Sequence, residues 1–279
     1  MLIDTHAHVN FSAFKDDAEE VIKRALDKGI FFINVGSQYL TSVRAVEYAQ
    51  KYPGKIWAAV GTHPVHLQKN NFAYKDDDEL AEEEIETIGE EVDFEKYKKL
   101  AARKEVVAIG EVGLDYHHFN EGDDIEKLKK KQKEILLGFI RLANEAEKPM
   151  IIHCWDAYAD LHEILKNNPV EKKGVIHSFV GGYKTANKFI ELGYLIGLNG
   201  VITYSDSFNK LIKEVPIEKI VIETDCPYLT PVPRKGERNE PLYVEYVAEK
   251  IAEIKEISLE NVAEITTQNA QKLFGIEPF

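Results

Sequence analysis

The sequence has only two cysteines, Cys154 and Cys226, in 279 residues. Two are too few for a disulfide framework, and a reduced, cytoplasmic protein is expected. Long apolar runs are missing too. None approaches the roughly 20 residues that a membrane helix needs, so no membrane partner is expected. The opening Met1-Leu2-Ile3-Asp4-Thr5-His6 has neither the basic stretch nor the apolar core of a secretory signal. Basic residues are in deficit: Lys and Arg number 35 against 48 Asp and Glu, a net charge of −13. Such a field repels phosphate backbones at long range and excludes sequence-independent coating of nucleic acid or anionic lipid. It still allows a nucleic-acid enzyme, because bound cations or a basic loop can reverse the potential locally. No repeat and no Pro- or Ser-rich linker divides the chain, so one domain over residues 1–279 is expected, with no obligate protein partner. No Gly-rich dinucleotide fingerprint follows the first apolar run, which disfavours a doubly wound open sheet.

What the chain does contain is an alternation. Short runs rich in Val and Ile fall at residues 2–5, 31–35, 56–60, 106–109, 150–153, 175–177, 194–198 and 220–223. They are nearly continuous in hydrophobicity, as strands covered on both faces should be. Amphipathic helical patterns separate them, at 18–28, 42–51, 94–103, 125–146, 157–166, 184–192 and 206–213, and two more follow at 241–254 and 258–274. Eight strands each followed by a helix predict an α/β fold, a (β/α)8 TIM barrel. One segment breaks the rhythm. Residues 75–95 are dense in Asp and Glu and read as a solvated acidic helix inserted into the barrel.

The chemistry gathers at the C-terminal ends of the strands, which in a barrel meet around one mouth. The first strand ends in His6-Ala7-His8, whose imidazoles share one side of a strand and can share a metal ion. The fourth leads into Glu111, the fifth into His153, the sixth into His177 and the eighth into Glu223-Thr224-Asp225. A buried carboxylate at such a place is costly unless paired or coordinated. Together His6, His8, His153, His177, Glu111 and Asp225 form a set suited to two divalent metal ions (Mg, Mn or Zn), with one carboxylate as bridge. A metal-bound hydroxide would be the nucleophile of such a centre, with Asp225 as general base. His63 is a candidate contact for the substrate or the leaving group. The loop after the eighth strand, residues 231–239, carries Arg234, Lys235 and Arg238. Arg234 and Arg238 are candidate phosphate contacts. Trp155 and Tyr116 sit just beyond proposed ligands and are candidates to stack on a base. Cys154 and Cys226 alternate away from the centre and read as small core residues. His117, His118 and His162 read as surface or helix residues.

These residues carry a resemblance. His6-Ala7-His8, Gly61-Thr62-His63-Pro64, Gly110-Glu111-Val112-Gly113-Leu114-Asp115-Tyr116, His153, His177-Ser178-Phe179, Glu223-Thr224-Asp225-Cys226-Pro227 and Arg238-Asn239-Glu240-Pro241 resemble the TatD family of metal-dependent deoxyribonucleases, from residue 1 to about 276. The resemblance implies a barrel of the metal-dependent hydrolase type that cleaves phosphodiester bonds of DNA, with single strands or strand ends as substrate and exonuclease action. It also implies that His6, His8, Glu111 and Asp225 hold one ion and that Glu111, His153 and His177 hold the other. Two places depart from the family pattern. His153-Cys154-Trp155-Asp156 stands where the family has His-x-Arg-Asp, and His63-Pro64-Val65-His66 where it has His-Pro-His. Both fall where substrate would bind, so they bear on substrate preference. The competing class is a hydrolase or deaminase of a small cyclic amide, lactone or nucleobase on the same barrel. Many of those bridge their metals with a modified lysine from the fourth strand, and residues 106–114 contain no lysine. A catalytically silent binding protein is disfavoured by the intact ligand set.

Overall fold

The computed structural model describes residues 1–74 and 83–276, with the backbone alone over 69–74 and 83–88. In chain order the strands are β1 (Leu2–Ala7), β2 (Ile30–Val35), β3 (Ile56–Val60), β4 (Lys69–Tyr74), β5 (Glu83–Ile88), β6 (Val106–Asp115), β7 (Met150–Trp155), β8 (Gly174–Ile176), β9 (Leu195–Leu198) and β10 (Ile220–Ile222). The helices are α1 (Ala18–Asp27), α2 (Tyr39–Lys51), α3 (Phe94–Ala101), α4 (Ile125–Glu145), α5 (Tyr158–Asn167), α6 (Tyr183–Glu191), α7 (Asn209–Glu214), α8 (Val244–Lys255) and α9 (Leu259–Phe274). Eight strands form one parallel sheet in the order β1-β2-β3-β6-β7-β8-β9-β10. Its two edges meet. Ala7 bridges Cys226, the Asp225 N–H donates to the His6 carbonyl at 2.8 Å, and Thr5 Oγ1 donates to the Ile222 carbonyl at 3.1 Å. The fold is therefore the expected (β/α)8 barrel. Among the described residues no helix is long and apolar enough to cross a membrane.

Local chemistry sets the element ends. Ser258 Oγ accepts the Asn261 N–H at 3.2 Å and starts α9, and Gly275 ends it at φ 64°. The acidic segment departs from expectation. Residues 83–88 form a strand, antiparallel to β4 with Lys69 opposite Ile88 and Tyr74 opposite Glu83. Residues 75–82 lie outside the described residues. Carboxylates at i and i+4, such as Glu82 with Glu86 and Glu86 with Glu90, oppose a helix. A helix begins only at Phe94, where the Asp93 carboxylate accepts the N–H groups of Glu95 and Lys96.

Two apolar layers explain how the barrel presents its mouth. One fills the space between strands and helices. The other lies inside the barrel and includes Ile3, Ile33, Ala108, Ile151, Val175 and Val221. On β7, β8 and β10 the ordinary two-residue period carries this inner face on to His153, His177, Glu223 and Asp225. On β1 and β6 it would not, because Ile3 and His6 differ by three residues, as do Ala108 and Glu111. Both strands shift register there, β1 between Asp4 and Ala7 and β6 between Ile109 and Val112. The irregularity moves Ala7 and Val112 to the helix-side core and leaves His6, His8 and Glu111 facing inward. Such bulges commonly re-aim a side chain beside a functional site. Gly113 then faces the His153 carbonyl so closely that no Cβ would fit.

Candidate metal centre

Glu111 stands between two groups of imidazoles. Its Oε2 lies 3.4 Å from His6 Nε2 and 3.9 Å from His8 Nε2. Its Oε1 lies 3.0 Å from His153 Nδ1, 3.3 Å from His177 Nε2 and 3.5 Å from His63 Nε2. Asp225 faces the same ring from the β10 side: Oδ1 is 3.3 Å from His8 Nε2 and 3.6 Å from His6 Nε2, and Oδ2 is 3.8 Å from His177 Nε2. The structure thus brings together all six residues singled out as metal ligands. Potential donor atoms lie within 4.8 Å of one another in three sets: His6, His8 and Glu111; His6, His177 and Asp225; and His63, Glu111 and His153.

The donor set fits a divalent ion. His8 Nδ1 lies 2.8 Å from the Val35 carbonyl. A carbonyl only accepts, so Nδ1 carries a proton and Nε2 is the atom turned toward the other donors. That Nε2 is 3.0 Å from His6 Nε2. Burial lowers the pKa of His6, and its Nδ1 has no hydrogen-bond partner among the described residues. Imidazoles and carboxylates converging in this way suit transition-type cations.

The charges are balanced by position. Burial alone would raise the pKa of Glu111, but His63, His177 and His6 outweigh it and hold the group well below the usual carboxylate range. Asp225 is lowered in the same sense against burial, by His177 and then by His8 and His6. Burial would lower His177, yet Glu223, Asp225 and Glu111 lift it to about 10. Burial would lower His153 as well, and its bonds to Asp115 and Glu111 lift it to about 9. His63 goes the other way, well below its usual value, because burial dominates. Its Nδ1 accepts the Val65 N–H at 3.2 Å, which puts the ring proton on Nε2, the atom nearest Glu111.

A second ring of residues steadies the first. Asp115 Oδ2 is 3.0 Å from His153 Nε2 and 2.8 Å from His118 Nδ1. Glu223 Oε1 lies 3.0 Å from His177 Nδ1, an ion-pair distance. Neither carboxylate is named by the sequence reading as part of the site. Both had a signal, an acidic residue at the end of an apolar strand, two or four places from a proposed ligand. His118, read as a surface residue, instead lines the cavity beside Asp115. His162, read on an exposed face, is half-buried with its ring edge against Phe189.

The cavity over this centre has a volume of about 530 Å³. Trp155 lines it, with one ring face stacked on His117 at 4.7 Å. Phe11 forms another part of the wall and stacks on His8 at 4.2 Å. His63 and His66 line it together; burial lowers His66 to about 4, and Gln38 Nε2 lies 2.9 Å from its Nδ1. Cys154 and Cys226 are buried in the helix-side core, and Cys154 also borders the cavity.

Three expected substrate contacts are placed elsewhere. The Tyr116 hydroxyl donates to Asp160 on α5 at 2.7 Å, and its ring lies under the Lys129 ammonium, away from the lining. Arg238 pairs with both oxygens of Asp17, donates to the Ala13 carbonyl at 2.6 Å and packs over Phe14. Arg234 pairs with Glu237 at 3.3 Å and covers Tyr243. The loop does belong to the β10 end of the barrel, but on so acidic a chain neighbouring carboxylates claim its arginines.

A profile of the family described as TatD related DNase matches residues 3–275. The "Uncharacterized metal-dependent hydrolase YabD" of Bacillus subtilis (strain 168) is 41% identical over 280 residues, covering 99% of this chain and 100% of its own. The "Uncharacterized metal-dependent hydrolase YcfH" of Escherichia coli (strain K12) is 30% identical, with 99% and 96% covered. Among solved structures, YJJV, a TatD homologue from Escherichia coli K12, superposes with a TM-score of 0.82 at 28% identity, over 99% of this chain and 98% of that one.

Proposed function

Because the chain belongs to the TatD-related DNase family and is a metal-dependent hydrolase, we propose that it hydrolyses phosphodiester bonds of DNA at strand ends, with two divalent ions. The observation that carries this reading is Glu111, whose two oxygens face separate groups of imidazoles. His6, His8, Asp225 and Glu111 Oε2 would hold one ion; His153, His177 and Glu111 Oε1 the other. Bound divalent ions supply Lewis acidity there, neutralising phosphate charge and acidifying water. Many cyclic-amide hydrolases on this barrel bridge their metals with a modified lysine from the fourth strand; residues 106–114 contain none, and Glu111 would bridge here instead, which favours phosphodiester chemistry.

The protein's own groups divide the remaining work. Asp225 stays ionised at neutral pH and is more open than Glu111, 13% against 4% of the side chain. It accepts the proton of the attacking water at a carboxylate oxygen. His63 stays neutral and presents Nε2–H, a donor for a non-bridging phosphate oxygen. Asp115 and Glu223 keep the rings of His153 and His177 from turning. Trp155 and Phe11 offer apolar walls to a base. The cavity lies in the size range of small-ligand pockets, which suits a strand end over an intact duplex.

Product mapping on end-labelled single-stranded DNA with added Mg²⁺, Mn²⁺ or Zn²⁺ tests the reading. Mononucleotides released stepwise from one end are expected. Hydrolysis of lactones or cyclic amides with DNA left intact would contradict it.

Metal uptake should also release protons. Without metal, His153 and His177, with pKa values lifted to about 9 and about 10, carry protons at pH 7. An imidazolium cannot be a ligand, so binding displaces those protons and affinity rises with pH until both groups are neutral. A pH-stat titration at pH 7 should register about two protons per chain as the site fills. Uptake without proton release would place the metal elsewhere.

A further inference from the structure

The cavity has a cation that the mechanism above does not use. Arg44, on α2, borders it, and among the described residues it is the one lysine or arginine that does. Its side chain is exposed and has no ion pair or hydrogen bond among the described residues. That sets it apart from Arg24, Arg234 and Arg238, each of which a carboxylate holds.

Its place in the fold directs it to the mouth. Helix α2 follows the C-terminal end of β2 after three residues, so it starts at the rim. Gln38, Thr41 and Arg44 recur at a spacing of three and share one face, and all three line the cavity. Helical Cα–Cβ bonds tilt toward the N-terminus, so the long Arg44 side chain leans back toward the opening. The floor, by contrast, is made of carboxylates and imidazoles. Arg44 belongs to α2 at the rim and not to that floor. A strand carrying further phosphates would bring one past the rim, where a guanidinium can take two of its oxygens.

We propose that Arg44 binds a non-scissile phosphate of the strand whose end occupies the cavity, making it a substrate-binding residue that favours oligonucleotides over single phosphodiesters. This rests on the DNA reading above. It is tested by fluorescence anisotropy with a labelled all-phosphorothioate thymidine tetranucleotide, which keeps the charge of every linkage and resists cleavage. The metal-loaded protein, Arg44→Ala and Arg44→Lys are compared across a salt series. Arg44→Ala should weaken binding about 10-fold at low salt and flatten the log–log salt slope by about 0.7, the worth of one phosphate on a single strand. Arg44→Lys should restore the slope and most of the affinity. An unchanged slope in Arg44→Ala would overturn the proposal even if affinity fell, because a merely structural role leaves the phosphate count intact. The two readings fail separately. Wild-type protein that cuts DNA while Arg44→Ala keeps full affinity and slope would overturn this inference alone. Arg44-dependent binding of the tetranucleotide without cleavage of ordinary DNA would overturn the nuclease reading alone.

Discussion

Asp225→Asn should keep its metal content and lose about 10²–10⁴-fold in kcat, the usual worth of a positioned general base. Asparagine preserves the shape and one oxygen but cannot take a proton. The surroundings favour this outcome over loss of metal. His6, His8 and Glu111 Oε2 already converge without Asp225, while Asp225 is the more open carboxylate and borders the cavity. Its backbone is fixed apart from any ion, at φ 60° with its N–H on the His6 carbonyl, so the substitution should leave the fold in place. Elemental analysis beside steady-state kinetics separates the roles. Loss of metal, with activity partly restored by excess metal, would make Asp225 chiefly a ligand. Near-normal kcat at saturating metal would remove it from both roles.

Glu111→Gln should be more severe for metal. The amide has no charge and only one oxygen, where Glu111 directs a separate oxygen to each group of imidazoles. Metal content should fall by at least one ion per chain and activity by about 10²-fold or more, beyond the 10–100-fold typical of lost outer partners of a metal ligand. The histidines would respond as well. Glu111 helps hold His153 and His177 in their protonated range, so the variant should release fewer protons when it binds metal at pH 7. Full metal content with full activity would show that Glu111 bridges nothing.

Much of this was legible in the residues because barrel strands are covered on both faces and end at one mouth. Each of the eight apolar runs is a strand, and the ligand-type residues on or just after β1, β6, β7, β8 and β10 do meet. The register shifts were not legible. Strict alternation from Ile3 or Ala108 would have turned His6 and Glu111 outward, and a bulge depends on pairing with a neighbouring strand, which composition does not carry. The partners of the arginine loop were not legible for a related reason. Its position follows from chain order, but the carboxylate that claims Arg238 comes from Asp17, more than two hundred residues away. Arg44 shows the converse. It lies inside an ordinary amphipathic pattern and gains meaning only once α2 is seen to start at the rim.

Anomalous diffraction from crystals grown with Mn²⁺ or Zn²⁺ tests the central claim most directly. Two peaks are predicted in the cavity, about 3.5–4 Å apart, one beside His6 and His8, the other beside His153 and His177, with Glu111 between them. A lone peak that does not touch Glu111, or peaks away from these side chains, would contradict the account.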